Sequence, residues 1–277
     1  MTEDIEIIDL DSWEQFRKLV LNDHVVHGSI YRGHSNPEWV LASPFEREIM
    51  KLKGNKPYPD RIYPYGADGV NIKHRKEFWV PDFYQRTRSE CLGIFKRLAC
   101  GLRGTNPANL TEEQWWVLGR HYGLIVPILD WTWSPYVAAF FAFQKAMKDY
   151  GNITCYDSRI DRVAIWKMNP SVEKVLKTND FKILKNISIP ELTRVYTQQS
   201  IYTSLHNDEI FELEGYFKHH NVCQYLKKIM IPENEVNKAV KDLSLMNIGY
   251  RTLFADLSGA AKEANTRTWK GNIYMGV

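Results

Sequence analysis

The chain has 277 residues, of which 44% are hydrophobic and 25% are charged, and its formal net charge is +3. This composition supplies enough apolar surface for a core and excludes a mostly disordered chain. The net charge is too small to establish a nucleic-acid partner and does not forbid one.

Several features of the sequence bear on compartment and metal content. The four cysteines are Cys91, Cys100, Cys155 and Cys223. No two of them form a C-x-x-C pair, so the spacing indicates neither a disulfide framework nor a common zinc cluster, and we expect no metal. The acidic N-terminus does not resemble a secretory signal. The longest stretch without charged residues, Trp131–Gln144, is shorter than a membrane helix and contains Pro135. We therefore expect a cytoplasmic protein without membrane contact.

The N-terminal region is predicted to contain a helix, a strand and an extended segment. The helix starts near Asp11, which has capping-box spacing with Glu14. Ser29–Gly33 is typical of a short strand that ends in a glycine turn. Because Pro37 breaks any helix, Trp39–Leu41 is predicted to be extended.

The middle of the chain is predicted to be mainly helical. Phe83–Leu102 has helical periodicity, and four of its side chains are expected to face inward: Cys91, Ile94, Phe95 and Leu98. Thr111 and Gln114 have the spacing of a capping box, and the helix that follows is expected to end near Gly123. Pro135–Lys145 is an apolar segment that starts with proline, which favours a helix.

The C-terminal region mixes strands with a helix. The alternating segments Val163–Met168, Val195–Thr203 and Lys228–Ile231 are predicted to be strands. Glu235–Met246 has the pattern of an amphipathic helix. Because strands and helices do not alternate in a regular βαβ rhythm, the sequence favours the α+β class.

A basic segment rich in proline and tyrosine, at about residues 51–78, differs from its surroundings. Its prolines, glycines and lysines predict a long loop or insertion. Loops of this length are commonly functional or mobile. A solvated surface loop and a lid that contacts substrate are both open interpretations.

Three segments carry side chains suited to ligand chemistry. Tyr31–His34 places Arg32 at the end of a strand, where it needs either a bound anion or an internal carboxylate. In Leu129–Pro135, Ser134 precedes a helix and can serve a ligand or simply cap the helix. Arg194–Thr203 contains paired glutamines, which we interpret as a strand edge near a cleft.

Together these segments resemble the FRG domain family, over about residues 31–262. The most specific stretch is His121–Ala142, which is similar to the family's H-x-G-L-P-T-R-L-L-D-W-T…A…F-F-A block. Thr252–Gly259 resembles its final L-F-P-D-L-x-G motif. Where the family usually has Pro-Thr-Arg, this chain has Ile125–Pro127. The resemblance implies a single FRG-type domain over residues 1–277 that contains the basic insertion.

A more distant similarity connects these motifs with ADP-ribosyltransferases of the Arg-Ser-Glu type. Tyr31–Gly33 is similar to the first motif of those enzymes, and Thr132–Ser134 with the helix after it is similar to the second. The similarity implies an α+β fold with ADP-ribosyltransferase-like split antiparallel sheets and surrounding helices. It also implies NAD as the substrate and transfer of ADP-ribose to an acceptor.

The same similarity implies roles for individual residues. Catalytic roles fall to Arg32, Ser134 and Gln198, with Glu209 in reserve as a carboxylate. The residues implied in holding NAD are Tyr31, Arg32, Gly33, His121, Asp130, Thr132, Ser134 and Tyr202. Tyr202 or Trp133 would stack on the nicotinamide ring. Loss of nicotinamide leaves an oxocarbenium-like sugar, whose charge a carboxylate stabilises.

The sequence leaves other functions open. A non-catalytic module that binds a nucleotide or nucleic acid is one alternative, and a nuclease is another. For a transferase, the acceptor is RNA, DNA or protein. Because a free NAD-consuming enzyme would harm its own cell, the hypothesis is a toxin or antiviral effector held in check by an antitoxin or inhibitory protein.

Overall fold

A computed structural model describes residues 4–22, 28–54, 83–102, 110–149, 161–189, 192–207 and 209–269. Within these ranges the chain combines helices with a sheet, which confirms the predicted α+β class. No helix in the described part of the chain has the length and apolar character needed to cross a bilayer.

The strands are short and are separated by helices of varied length. The described strands are β1 (Glu6–Asp9), β2 (Ile30–His34), β3 (Leu129–Thr132), β4 (Arg162–Met168), β5 (Phe181–Leu184), β6 (Ser200–Leu205) and β7 (Leu226–Pro232). The described α-helices are α1 (Trp13–Asn22), α2 (Pro44–Gly54), α3 (Phe83–Leu98), α4 (Glu112–His121), α5 (Pro135–Asp149), α6 (Val172–Leu176), α7 (Thr193–Thr197), α8 (Leu213–His219), α9 (Val236–Leu245), α10 (Tyr250–Phe254) and α11 (Leu257–Trp269).

The described strands form one sheet in the order β1-β7-β4-β2-β3-β6-β5. β1 and β7 run parallel, and the other neighbouring strands run antiparallel. The junction between β2 and β3 is the weakest, since it has a single register pair, Tyr31 with Thr132. The sheet is therefore continuous rather than divided into the two separate sheets expected, but β2 and β3 diverge beyond this pair.

Helices cover both faces of the sheet, and β4 contributes side chains to both cores. Val163 and Ile165 pack in a cluster with residues of α1, α5 and α9. Trp166 and Met168 pack on the opposite face with residues of β6 and α8. This alternation is the period of two that a strand imposes, because successive side chains point to opposite faces.

Helix α5 lies unusually close to β2, and Gly33 makes that approach possible. A Cβ atom added to Gly33 would lie 1.9 Å from the Ala138 carbonyl oxygen and 2.5 Å from the Ala142 amide nitrogen. Ala138 and Ala142 are themselves small and fully buried. Gly33 of β2 and the two alanines of α5 therefore form one close contact between the backbones of the strand and the helix.

The predicted strand Val195–Thr203 is wrong in its first half. Thr193–Thr197 forms helix α7 instead, and β6 begins only at Ser200. Gln199 adopts a left-handed conformation with φ +49°, and its carbonyl oxygen accepts a hydrogen bond from the Trp133 amide at 3.1 Å. The paired glutamines therefore lie in a turn between a helix and a strand.

Several predicted element boundaries also differ from the structure. Helix α3 ends at Leu98, and both Ile94 and Leu98 are exposed rather than inward-facing. Ser12, not Asp11, caps α1, because its hydroxyl accepts from the Gln15 amide at 3.3 Å. Residues 39–41, predicted to be extended, lie outside the helices and strands. The predicted insertion starts inside α2, and its residues 55–78 lie outside the described residues.

Candidate functional site

Arg32 fills the gap that opens where β2 and β3 diverge. A longer ladder would pair Gly33 with Asp130, but the structure has only the Tyr31–Thr132 pair. The Asp130 carbonyl oxygen accepts instead from Arg32 Nη1 at 2.6 Å. Burial is the main cause that lowers the pKa of Arg32, to about 10, so its guanidinium remains charged at neutral pH.

His34 fixes the orientation of the Arg32 guanidinium through a hydrogen bond. Arg32 Nε donates to His34 Nε2 at 3.0 Å, and His34 Nδ1 lies 3.2 Å from the Trp39 carbonyl oxygen. Because a guanidinium N–H only donates and a carbonyl only accepts, His34 carries its proton on Nδ1 and accepts at Nε2. Burial, followed by the charge of Arg32, lowers the pKa of His34 to about 2. The imidazole therefore stays neutral and holds one edge of the guanidinium.

Arg32 borders a cavity of about 530 Å³ whose wall contains both cationic and aromatic side chains. The lysine and arginine side chains in its wall are Arg32, Arg47, Arg120, Lys145 and Arg194. Asp130 is the only carboxylate among the described residues that line it. This excess of cations favours an anionic ligand with more than one charge.

Asp130 is held by arginines on both sides. Its Oδ2 atom accepts from Arg120 Nε at 3.0 Å and from Arg120 Nη2 at 2.9 Å. Arg32 Nη1 lies 3.9 Å from the same oxygen. The Asp130 carboxylate raises the pKa of Arg120 above its usual value. A negative charge is thus already stabilised at the point where the two guanidinium groups approach each other.

The other two arginines are also held by backbone carbonyls. Arg47 Nε donates to the Ala42 carbonyl oxygen at 3.0 Å, and Arg194 Nε donates to that of Phe254 at 3.2 Å. Burial and the neighbouring Arg120 charge lower the pKa of Arg47. Arg194 also forms an ion pair with Asp256. These contacts fix the positions of the charges before any ligand enters.

Most of the residues predicted for the site do line this cavity. They are Tyr31, Arg32, Gly33, His121, Asp130, Thr132, Gln198 and Tyr202. Ser134 does not line it, because its hydroxyl accepts from the Val137 amide at 3.2 Å and caps α5. Glu209 is exposed beyond the far end of β6 and also lies away from the cavity. The structure therefore favours the capping role for Ser134.

Thr132 and Gln198 line the cavity but already bond within the protein. The Thr132 hydroxyl donates to the Gln198 carbonyl oxygen at 2.7 Å and accepts from the Ser134 amide at 3.1 Å. Gln198 Nε2 donates to the Leu253 carbonyl oxygen at 3.0 Å. Both side chains thereby tie the end of β3 and the α7–β6 turn to neighbouring elements.

His121 and Tyr202 both line the cavity and are both electrically neutral near pH 7. Burial and the charge of Arg194 lower the pKa of His121. Burial, with the charge of Asp130 as the next cause, raises the pKa of Tyr202. Only 5% of Tyr202 is exposed, so little of its ring is open to a ligand.

The sequence did not identify several residues that complete the site. Arg120 directly precedes His121 at the end of α4, and its ion pair with Asp130 is a contact between a helix and a strand. Trp39 and Lys145 also line the cavity, from a loop and from α5. The position of Arg120 directly before His121 is the sequence signal that could have identified it.

Metal ligands do not cluster in the described part of the chain. No group of three or more histidine, cysteine, aspartate or glutamate side chains is close enough there to hold a metal ion.

Comparison with known protein families then adds one finding. Residues 27–151 match the model of the FRG domain. The match supports the FRG family and includes β2, α4 and β3, which carry Arg32, Arg120 and Asp130, and also α5. The α7–β6 turn and α10, which close the cavity, follow the matched FRG region in the chain. Comparison with curated proteins finds no match, and comparison with solved structures finds none.

Proposed function

We propose that the cavity binds NAD and that the protein is an ADP-ribosyltransferase. The observation that carries the proposal is the set of five cationic side chains around a single carboxylate in one cavity. The pyrophosphate of a dinucleotide presents two negative charges to such a surface, and arginine suits the planar, two-point recognition of phosphate. The cavity volume of about 530 Å³ lies within the range of small-molecule sites.

In this proposal Arg32 and Arg120 hold the pyrophosphate. Arg32 is oriented by His34 Nε2 and by the Asp130 carbonyl oxygen, so its Nη2 group is available to a phosphate oxygen. Arg120 uses Nε and Nη2 for Asp130, and its Nη1 group stays available. Preset donors reduce the entropy lost when the ligand is ordered.

The reaction breaks the bond between ribose C1′ and the nicotinamide nitrogen. Its electron pair leaves with nicotinamide, and C1′ becomes oxocarbenium-like. The acceptor supplies a lone pair to C1′ and releases a proton, which passes to a carboxylate or to water. Asp130 is the carboxylate available for this role among the described residues of the cavity wall.

Acceptor and regulation are part of the proposal. We expect RNA, DNA or protein as the acceptor, and a toxin or antiviral role that requires an inhibitory partner such as an antitoxin. A partner of this kind would work by covering the cavity and excluding NAD.

A second candidate is a non-catalytic module that binds a nucleotide. The observation that favours it is that both candidate catalytic side chains already form hydrogen bonds within the protein. Asp130 is already paired with Arg120, and Gln198 is bonded to Leu253 and cannot supply a negative charge. Both candidates require phosphate binding in the same place, so they differ only in whether a bond is broken.

The test is incubation of the purified chain with NAD labelled in its adenylate half, together with RNA, DNA and a cell lysate. We expect label transfer that is lost in Arg32→Ala and strongly reduced in Arg32→Lys, because lysine keeps the charge but loses the planar fork. Arg17→Ala is the matched control, since Arg17 lies on α1 and does not line the cavity. Circular dichroism checks that each variant is folded.

The outcomes separate the candidates. Binding of ADP-ribose without transfer to any acceptor supports the binding module and overturns the transferase. Transfer that survives Arg32→Ala shows that the site is wrong. Failure of inorganic pyrophosphate to bind at all overturns both candidates.

A further inference from the structure

Trp39 is a large aromatic side chain at the rim of the cavity, and about half of its surface is exposed to solvent. Its exposed fraction is 51%, and it lines the same cavity as Arg32 and Arg47. An exposed tryptophan beside a cationic cavity is a typical element of nucleotide and single-strand recognition, because every base has a flat apolar face.

The other aromatic rings of the described cavity wall have less free surface. Tyr31, Trp131 and Tyr202 are all buried, with exposed fractions of 5% or less. Phe254 is already covered by cations, with Arg194 5.0 Å and Lys262 4.5 Å from its ring centroid. Phe141 packs edge-on against Phe140 and Phe254. Trp39 thus offers the most accessible ring face in this wall.

The backbone of Trp39 is fixed in place although its ring is exposed. Its amide donates to the Asn36 carbonyl oxygen at 3.2 Å, and its carbonyl oxygen lies 3.2 Å from His34 Nδ1. The indole also contacts the His34 ring edge-on, with the two centroids 6.0 Å apart. Since His34 also accepts from Arg32 Nε, one imidazole sets the positions of both the exposed ring and the guanidinium.

We propose that Trp39 is the platform on which a nucleobase of the ligand stacks while Arg32 holds the adjoining phosphates. This inference rests on the proposed function, because it assumes that the cavity takes a nucleotide. The base-binding subsite lies at the rim of the cavity, and the phosphate subsite lies inside the cavity beside Arg32. The neutral His34 joins the two subsites, so that a ligand is recognised by the distance between its base and its phosphates.

The test compares two probes, ADP and inorganic pyrophosphate, by titration calorimetry with the full chain. Trp39→Ala is expected to weaken ADP binding by about tenfold or more, as removal of a base-stacking aromatic typically does. Pyrophosphate has no base, so its affinity should not change. Trp39→Phe keeps a flat ring and should restore most of the ADP affinity. Tyr196→Ala removes an exposed ring that does not line the cavity, and ADP binding should stay at the wild-type level.

Each outcome bears on a defined claim. Equal ADP affinity in Trp39→Ala and the wild type overturns the base subsite, even if pyrophosphate binds well. Equal losses of affinity for ADP and for pyrophosphate would show that Trp39 only supports the fold, and this result would also overturn the base subsite. Loss of ADP binding in Tyr196→Ala would place the base elsewhere and overturn the subsite at Trp39. If pyrophosphate fails to bind the wild-type chain, the proposed function itself fails.

Discussion

Replacing Gly33 by alanine tests the close contact between β2 and α5. The added methyl carbon would lie 1.9 Å from the Ala138 carbonyl oxygen, where ordinary contact begins near 3.4 Å. The obstructing atoms belong to the backbone of a buried helix, so no side chain can rotate away. Relief requires α5 and β2 to separate by roughly 1.5 Å over a packed interface, because interiors are dense and transmit strain.

The expected cost follows from this geometry. Overpacking a well-packed core typically destabilises a protein by about 1–3 kcal/mol. Because the clash at Gly33 involves two backbone atoms, we expect the upper end, about 3 kcal/mol. For a domain of this size, 1 kcal/mol corresponds to about 2–4 °C, so the midpoint of thermal unfolding should fall by about 6–12 °C.

The assay is urea and thermal unfolding followed by circular dichroism. Gly93→Ala is the matched control, because Gly93 lies inside α3 and an added Cβ would meet only a flexible Arg97 side-chain atom at 3.5 Å. That change should stabilise the chain by about 0.5–1 kcal/mol, since alanine is the better helix former. Gly33→Ala unfolding at or above the wild-type midpoint would refute the close contact.

Two further predictions concern charge. Burial, followed by the charge of Arg32, lowers the pKa of His34 to about 2, so the unfolded chain binds a proton that the folded chain excludes. The free energy of unfolding should therefore decrease as the pH drops below about 6.5, the pKa of histidine in the unfolded chain, by up to about 1.4 kcal/mol per pH unit. In urea unfolding from pH 7.5 to 5, His34→Gln should show a smaller dependence on pH. An unchanged slope would contradict the neutral role of His34. Asp130→Asn removes the internal counter-ion of Arg120, and we expect about fivefold tighter pyrophosphate binding by calorimetry together with slower label transfer. Weaker binding would show that Asp130 positions the arginines instead of competing with the ligand.

Local patterns of residues predicted the parts of the fold that depend on near neighbours in the chain. Thr111 and Gln114 form both bonds of the predicted capping box. The alternation over residues 163–168 corresponds to β4, whose side chains contribute to both cores. In each case the pattern and the structure share a cause, because caps and strand periodicity act over a few residues.

The features that the sequence did not reveal depend on contacts between distant segments. Gln198 and Gln199 have the alternating neighbours of a strand, but the turn is set by bonds to Leu253 and Trp133, far along the chain. The predicted role of Ser134 came from a motif, while its hydroxyl is used by the first turn of α5. Motif similarity identified the region of the cavity, and only tertiary contacts separate residues that face it from residues that support it.

The divergence of β2 and β3 gives the site its chemistry. Where strands part, a backbone carbonyl loses its ladder partner, and a buried carbonyl needs a donor. Arg32 supplies that donor to the Asp130 carbonyl and thereby brings a charge into the gap, which the Asp130 side chain and Arg120 then balance. Arg32 therefore satisfies the unpaired carbonyl of β3 and also presents a positive charge that can bind an anion. Loss of Arg32 should therefore weaken both the junction and ligand binding, whereas loss of Arg120 should weaken binding with less effect on stability.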